Sequence, residues 1–217
     1  MMDRKTILVI NPNSNETVTG IIDEAVAPLR FADGPLIECV TLREGPFGIE
    51  SQLHADQVVL PLARIAETRT DAAAFVIACY ADPGIDAMRS VTAAPVFGSQ
   101  ESAILTGLAR GDRLGVIAAG PVSIKRHRRY LRRLGLLDRI SSERPVNMSV
   151  DEIATAAHSF DRLVAVGRAL IDDGADAIVL GCAGMARYRA SLERTLGVPI
   201  IEPTQAAVAM ALAAARA

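Results

Sequence analysis

Two cysteines, Cys79 and Cys182, each follow a short apolar run that is typical of a buried β-strand. The runs are residues 74–78 and 177–181, and small residues follow each cysteine where a helix should begin. In α/β proteins, ligands bind at the carboxyl ends of the strands, and the amide groups of a following helix favour a thiolate. These two thiols are therefore the residues most suited to chemistry.

A pair of thiols at one ligand admits four kinds of chemistry. A disulfide does not fit a reducing compartment, and no histidine lies at metal-ligand spacing from either cysteine. A lone nucleophile would need an activating histidine, and neither cysteine has one nearby in the sequence. The favoured chemistry is paired acid–base work on a carbon acid, because a thiol pKa of about 8.5 can be tuned toward working pH. Backbone N–H groups at the two strand-to-helix turns would stabilise the enolate.

Composition limits the classes of partner. The 217 residues carry a net charge of −2, with no tryptophan and 4% aromatics, which disfavours nucleic acid. Half of the residues are hydrophobic, with a mean hydropathy of +0.27, so a sizeable core is expected. No apolar run approaches the roughly 18 residues of a membrane span. The three cysteines, without a CxxC pair or an export signal, predict free thiols and a cytoplasmic location.

The order of elements predicts an α/β fold. Apolar runs predict strands at 7–10, 36–42, 74–79, 94–98, 114–118, 177–181 and 198–201, with a short strand near Val146. Helices are expected between them, including one over 52–68 with a kink or break at Pro61 and a long one from Ser149 or Asp151 to Ile171. Asn13 is the expected N-cap of the first helix.

Three strand ends recur in the same order and at nearly constant spacing along the chain, around residues 10 and 117, 79 and 182, and 97 and 200. The repeat predicts two pseudo-symmetric halves, each a parallel sheet flanked by helices. The first half is expected to comprise residues 1–97 and 198–217, and the second residues 98–197. The active site would lie in the crevice between them, with one cysteine from each half.

Several residues keep two interpretations. Cys39 lies inside a predicted strand and is expected to be a core residue, and His54 is expected at the surface. Asp82 precedes Pro83, so it could cap a helix or contact the substrate. The basic run 125–133 could be a solvated helix face, a subunit contact or an anion site.

The motifs resemble one known family. Residues 10–14 (Ile-Asn-Pro-Asn-Ser), residues 78–84 around Cys79, and residues 181–186 (Gly-Cys-Ala-Gly-Met-Ala) are similar to the hydantoin racemase branch of the aspartate/glutamate racemase superfamily. The resemblance spans nearly the whole chain. It implies a cofactor-independent two-base racemase or epimerase of a 5-substituted hydantoin, allantoin or a related cyclic ureide. It also implies a homo-oligomer, and the absence of metal-ligand spacing predicts no metal site.

The resemblance assigns residues to roles. Cys79 and Cys182 would be the acid–base pair on opposite faces of the stereocentre. The substrate's carbonyl and ring-amide groups would be held by residues of the strand-end turns, namely Asn11, Pro12, Ser14, Tyr80, Asp82, Ala119, Gly120, Ala183 and Gly184.

Departures from the family patterns keep alternatives open. Tyr80-Ala81 and Ala183-Gly184 stand where amino-acid racemases of the superfamily have Asn-Thr and Thr-His, which disfavours free glutamate or aspartate. Hydantoin racemases commonly carry a threonine after the fifth strand, where this chain has residues 118–120 (Ala-Ala-Gly), and an aspartate where Glu202 stands. Arylmalonate decarboxylases keep only the second cysteine, whereas maleate isomerases keep both. Maleate-type isomerisation through a cysteine nucleophile and non-catalytic binding of a small ligand are the alternatives.

Overall fold

Eight parallel strands form two four-stranded sheets in the structure, a computed structural model that describes residues 5–215. The first sheet consists of β1 (Thr6–Asn11), β2 (Leu36–Thr41), β3 (Ala72–Ile77) and β4 (Val96–Gly98), in the order β2-β1-β3-β4. The second sheet consists of β5 (Leu114–Ala118), β6 (Ile140–Pro145), β7 (Ala177–Gly181) and β8 (Ile200–Ile201), in the order β6-β5-β7-β8.

Helices connect the strands. Those in the described part of the chain are α1 (Glu16–Val26), α2 (Gln52–Gln57), α3 (Val59–Thr68), α4 (Ile85–Val91), α5 (Ser99–Leu108), α6 (Pro121–Arg133), α7 (Val150–Thr155), α8 (Ser159–Asp172), α9 (Arg189–Leu196) and α10 (Pro203–Ala214). Short 3₁₀ helices occupy Ala27–Leu29, Leu137–Arg139 and Ala183–Tyr188. None of the helices between residues 5 and 215 combines the length and apolarity that crossing a membrane requires.

The two sheets repeat one topology. The strand that begins each sheet, β1 or β5, lies second in its sheet, next to the strand that carries a cysteine at its end. Every residue of β1, β5 and β7 is buried, as expected for parallel strands covered by helices on both faces. The predicted α/β fold with two pseudo-symmetric sheets is confirmed.

Two helices pack across the repeat. Helix α5 follows the last strand of the first sheet but packs on β5, β7 and β8, whereas α10 follows β8 and packs on β1, β3 and β4. Small buried side chains such as Ala103, Ala207 and Ala211 line these two helices, which pack against each other. Strand β8, within the segment 198–217, pairs with β7, so that segment contributes to both sheets. The division into two domains stays a prediction.

Local details correct several expected elements. The break near Pro61 is present, at Val58 between α2 and α3. Strand β6 ends before Val146, and the long helix expected up to Ile171 is two helices, α7 and α8, separated by residues 156–158. Asn15, not Asn13, caps α1, because its side chain accepts the Thr17 N–H.

Candidate active site

Cys79 and Cys182 lie at equivalent places in the two sheets. One residue, Ala78, separates Cys79 from the end of β3, and Cys182 directly follows β7. Both side chains line one cavity of about 40 Å³. The residues that line this reaction cavity are Asn13, Val18, Ile49, Ala78, Cys79, Tyr80, Ala81, Ala119, Ser123, Arg126, His127, Val150, Gly181, Cys182 and Ala183. The fold thus brings together two thiols that are far apart in sequence.

Each thiol has an equivalent backbone partner, the N–H group two residues further along the chain. The N–H of Ala81 donates to the sulfur of Cys79, and the N–H of Gly184 donates to that of Cys182. Burial nevertheless raises the pKa of Cys79 to about 12 and that of Cys182 to about 11, because water no longer solvates a thiolate there. At neutral pH both thiols therefore carry their protons in the resting site.

Charged side chains surround the two thiols unequally. The positive charge of Arg126 lowers the pKa of Cys79, opposing the effect of burial. The charges of Glu50 and Glu202 instead raise the pKa of Cys182. Asp82 and Cys182 also raise the pKa of Cys79, so Arg126 is the cation that opposes them on this side of the cavity.

Arg126 is buried although it belongs to the basic run of α6. It is only 9% exposed, and its guanidinium is bound by neutral oxygens. Nη1 donates to the Glu50 carbonyl at 3.1 Å, and Nη2 donates to the Ile49 carbonyl and Ser123 Oγ, both at 3.3 Å. Nε is buried and has no hydrogen-bond partner within residues 5–215. Other basic residues of the run, Arg128, Arg129 and Arg132, are exposed, as expected for a solvated helix face.

His127 also faces the reaction cavity. Its Nδ1 lies 2.5 Å from Glu143 Oε1, and both side chains are almost wholly buried. Its ring contacts Tyr80 edge-to-face, with the centroids 4.8 Å apart. A histidine beside the cysteines was not predictable from local sequence, because His127 lies on α6, which follows a different strand.

The turn after β1 contributes a different residue from those expected. Asn11 Nδ2 donates to Asn13 Oδ1, Asn15 O and Thr19 Oγ1, so the Asn11 amide is used within the turn. Asn13 lines the reaction cavity, whereas Asn11, Pro12 and Ser14 do not. The side chain of Asn11 thus shapes the turn that presents Asn13.

Asp82 does not cap the helix that follows it. Its backbone has a φ of 43°, and Gly84 precedes α4 as the N-cap. The Asp82 carboxylate accepts the N–H groups of Gln100 and Glu101 at 2.8 and 3.0 Å, and so caps α5 instead. Burial raises the pKa of Asp82 to about 7. It lies outside the reaction cavity.

The remaining expected residues divide into two groups. Tyr80, Ala119 and Ala183 line the reaction cavity, and Gly184 contacts Cys182 through its backbone. Gly120 instead lines an outer cavity of about 360 Å³, together with Ile49, Glu50, Ala119, Pro121, Val122, Ser123, Asn147, Met148, Ser149 and Val150. Because Ile49, Ala119, Ser123 and Val150 line both cavities, the outer cavity adjoins the reaction cavity.

Other candidate residues lie away from the thiols. Cys39 is partly buried against the first sheet's helices, in line with a core role, and burial raises its pKa to about 12. His54 is partly exposed and accepts the Glu50 N–H at 3.3 Å. The buried Glu202 caps α10 by accepting the N–H groups of Thr204 and Gln205. In the described part of the chain, no cluster of three or more His, Cys, Asp or Glu side chains could hold a metal ion.

Comparisons with known proteins agree with this arrangement. The model of the Asp/Glu/hydantoin racemase family matches residues 7–211. A hydantoin racemase of Paenarthrobacter aurescens is 33% identical over 210 residues, which cover 94% of this chain and 89% of that protein. An allantoin racemase structure from Klebsiella pneumoniae has 30% identity and a TM-score of 0.89, covering 95% of this chain and 86% of that chain. An allantoin racemase structure from Pseudomonas fluorescens, at 24% identity, shares the fold with a TM-score of 0.91 and covers 97% and 91% of the two chains.

Proposed function

This chain belongs to the Asp/Glu/hydantoin racemase family and is an isomerase, and we propose that it racemises the C5 centre of a 5-substituted hydantoin, allantoin or related cyclic ureide. The reaction needs no cofactor, and Cys79 and Cys182 act as the acid–base pair. The observation that carries the proposal is that both thiols line one cavity from equivalent strands of the two sheets. Relatives named for hydantoin and allantoin racemisation supply the substrate class.

The proton balance follows from two thiols on opposite faces of the ring. One thiolate removes the C5 proton, and the electron pair moves onto the neighbouring carbonyl oxygen to give a planar enolate. The opposite thiol then delivers its proton to the other face, and that sulfur becomes the thiolate. After one turnover the two cysteines have exchanged protonation states, and the substrate has inverted.

Cavity residues supply polar contacts for the ring. Asn13 Oδ1 is occupied by Asn11 and Asn15, which leaves Asn13 Nδ2 to donate to a substrate carbonyl. Tyr80, Ala119 and Ala183 form walls of the cavity and contact the substrate, whereas Gly184 acts by donating its backbone N–H to Cys182. Asn11, Pro12, Ser14 and Asp82 act through the turns that they hold, and Gly120 acts at the entrance.

Proton NMR in D₂O with single enantiomers of a hydantoin panel that includes allantoin tests the proposal. The wild type should lose the C5–H signal and optical rotation together. Cys79→Ser and Cys182→Ser should each lower racemisation by about 10²- to 10⁴-fold. Each variant should still exchange C5–H slowly from the one enantiomer whose proton faces the remaining thiol, without inversion.

Cys39→Ser is the matched control, because Cys39 lies outside the reaction cavity. It should racemise at the wild-type rate. Full racemisation by either cavity variant would refute the two-base mechanism.

A cysteine nucleophile, as in maleate-type isomerisation, is the second candidate. The observation that favours it is that His127 lines the same cavity as the two cysteines. A cysteine nucleophile needs a histidine base that a third group orients, and Glu143 binds His127 in this way. This mechanism would leave a covalent adduct on one thiol. Mass spectrometry of the enzyme quenched during turnover should therefore show the unmodified mass if the two-base mechanism holds, and an adduct if it does not.

A further inference from the structure

We propose that Arg126 is a catalytic residue that binds the anionic oxygen of the planar intermediate formed between the two cysteines. The inference rests on the proposed function, because it assigns the group that stabilises the enolate of that reaction. Arg126 lies on α6, one helical turn after Ser123. Its side chain lines the reaction cavity together with both thiols.

The first argument is that this buried cation has no anionic partner. All three hydrogen bonds of its guanidinium go to neutral oxygens, those of Glu50, Ile49 and Ser123. None of the ion pairs among the described residues includes Arg126, whereas Arg133 on the same helix pairs with Asp86 at 2.5 Å. A buried charge without a counter-ion is costly, so its retention beside the thiols points to an anion that arises there during the reaction.

The second argument is the guanidinium nitrogen that has no hydrogen-bond partner among residues 5–215. A guanidinium has five N–H groups in a fixed plane, and here Nη1 and Nη2 are held by the protein. The Nε edge is buried without a partner within residues 5–215. Because the held nitrogens fix the plane, the Nε–H group keeps a fixed direction and has no protein acceptor to give up when charge develops.

The third argument is the position of the charge. Burial lowers the pKa of Arg126, and a negative charge at Cys79 is the neighbour that raises it. Because Arg126 and both cysteines line the same cavity, the guanidinium lies within electrostatic range of an anion that forms beside Cys79. The backbone N–H groups of Ala81 and Gly184 are already bound to the sulfurs, so they are occupied when the enolate forms.

These arguments fit one step of the reaction. When a thiolate removes the C5 proton, the electron pair of the broken C–H bond moves onto the carbonyl oxygen next to C5. Arg126 Nε–H donates to that oxygen while it is anionic. When the opposite thiol protonates C5, the carbonyl re-forms and the negative charge returns to a sulfur. The substrates are thus carbon acids with a carbonyl directly beside the stereocentre.

The test compares two ligands that cannot be racemised. Barbiturate is a planar cyclic ureide whose oxygens carry negative charge at neutral pH, whereas 5,5-dimethylhydantoin is neutral and has no C5 proton. Calorimetry should show that Arg126→Gln weakens barbiturate binding by about 10- to 100-fold while the affinity for 5,5-dimethylhydantoin is unchanged. The kcat for racemisation should fall by about 100-fold or more, with a small change in KM. Arg126→Lys should retain part of the anion affinity.

Arg132→Gln, an exposed position on the same helix, is the control and should match the wild type. The inference would be overturned if a folded Arg126→Gln protein lost affinity for both ligands equally, or if its affinity for barbiturate were unchanged. If that variant does not fold, the affinities of the wild type for the two ligands test the inference. It should bind barbiturate more tightly than 5,5-dimethylhydantoin, and lose this preference when acid neutralises the ligand. Equal affinity for the two ligands would overturn the inference.

The outcomes separate the two proposals. Racemisation by the wild type with an unaffected Arg126→Gln variant would refute the role of Arg126 and leave the proposed function standing. A wild type that racemises no member of the panel, but binds barbiturate through Arg126, would refute the function and leave the anion site standing.

Discussion

The imidazole of His127 and the carboxylate of Glu143 form a buried pair, with Nδ1 2.5 Å from Oε1. This pair joins α6 to the edge strand β6 of the second sheet. Because Tyr80 packs against the His127 ring, the pair also supports the turn that carries Cys79 in the first sheet. One contact thus links elements of both sheets at the reaction cavity.

Replacing Glu143 by leucine tests this link. The change leaves His127 Nδ1 buried without its partner, which should lower the free energy of unfolding by about 1–3 kcal/mol. Urea denaturation at neutral pH measures the loss, and kcat should fall because Tyr80 and Cys79 lose support. Glu44→Gln, at an exposed position, is the control and should leave both quantities unchanged. Wild-type stability and kcat in Glu143→Leu would contradict the linking role.

The pH dependence of the reaction follows from the raised thiol pKa values. Burial places the pKa of Cys182 at about 11 and that of Cys79 at about 12, above the ordinary value for a thiol. The free enzyme must lose one of these protons to act, so the active fraction should grow tenfold with each pH unit. The logarithm of kcat/KM should therefore rise with a slope near +1 between about pH 7 and 9.

Circular dichroism across the same range should confirm that the protein stays folded. A plateau reached by about pH 8 would show instead that one thiolate already exists in the resting enzyme at neutral pH.

The contact between Asp82 and Gly98 predicts a change in stability. A β-carbon at Gly98 would overlap the Asp82 carboxylate that caps α5. Gly98→Ala should therefore destabilise the protein by about 1–3 kcal/mol, measured by urea denaturation. Gly20→Ala on α1 is the matched control, because nothing lies within 4 Å of the added methyl. It should stabilise by about 0.5–1 kcal/mol, since alanine favours the helix. A tolerated alanine at position 98 would mean that the carboxylate is free to move.

The strands and the cysteine pair were predictable from the sequence because buried parallel strands are continuous apolar runs that end abruptly. The repeat of these runs was enough to predict the two sheets. The pairing of β8 with β7 and the packing of α10 on the first sheet were not predictable, because short apolar runs do not specify which sheet they join.

The basic helix shows why the site was only partly predictable. The many positive charges of residues 125–133 predict a solvated helix. Ser123, His127 and Leu131, however, are spaced four positions apart and are all buried. That helical spacing was the available signal, and Arg126 borders the same face. Asp82 shows a different limit. Its neighbour Pro83 suggested a local cap, whereas its partners Gln100 and Glu101 are brought close by β4 and α5.

The side chains that separate the two cavities should control which 5-substituents are accepted. Ile49 and Val150 line both the reaction cavity of about 40 Å³ and the outer cavity of about 360 Å³. The Ile49 side chain can be shortened without removing the carbonyl that binds Arg126. Ile49→Ala should therefore open the reaction cavity toward the outer cavity and raise kcat/KM for 5-benzylhydantoin relative to allantoin by about 10-fold or more.

The same substitution should cost stability, because Ile49 is a buried side chain. A loss of about 2–4 kcal/mol is expected, so the comparison belongs at a temperature where both proteins are folded. Leu53→Ala removes an apolar side chain that is 64% exposed and should leave the substrate ratio at its wild-type value. If Ile49→Ala changes both substrates equally, the substituent does not pass Ile49, and the substrate enters by another route.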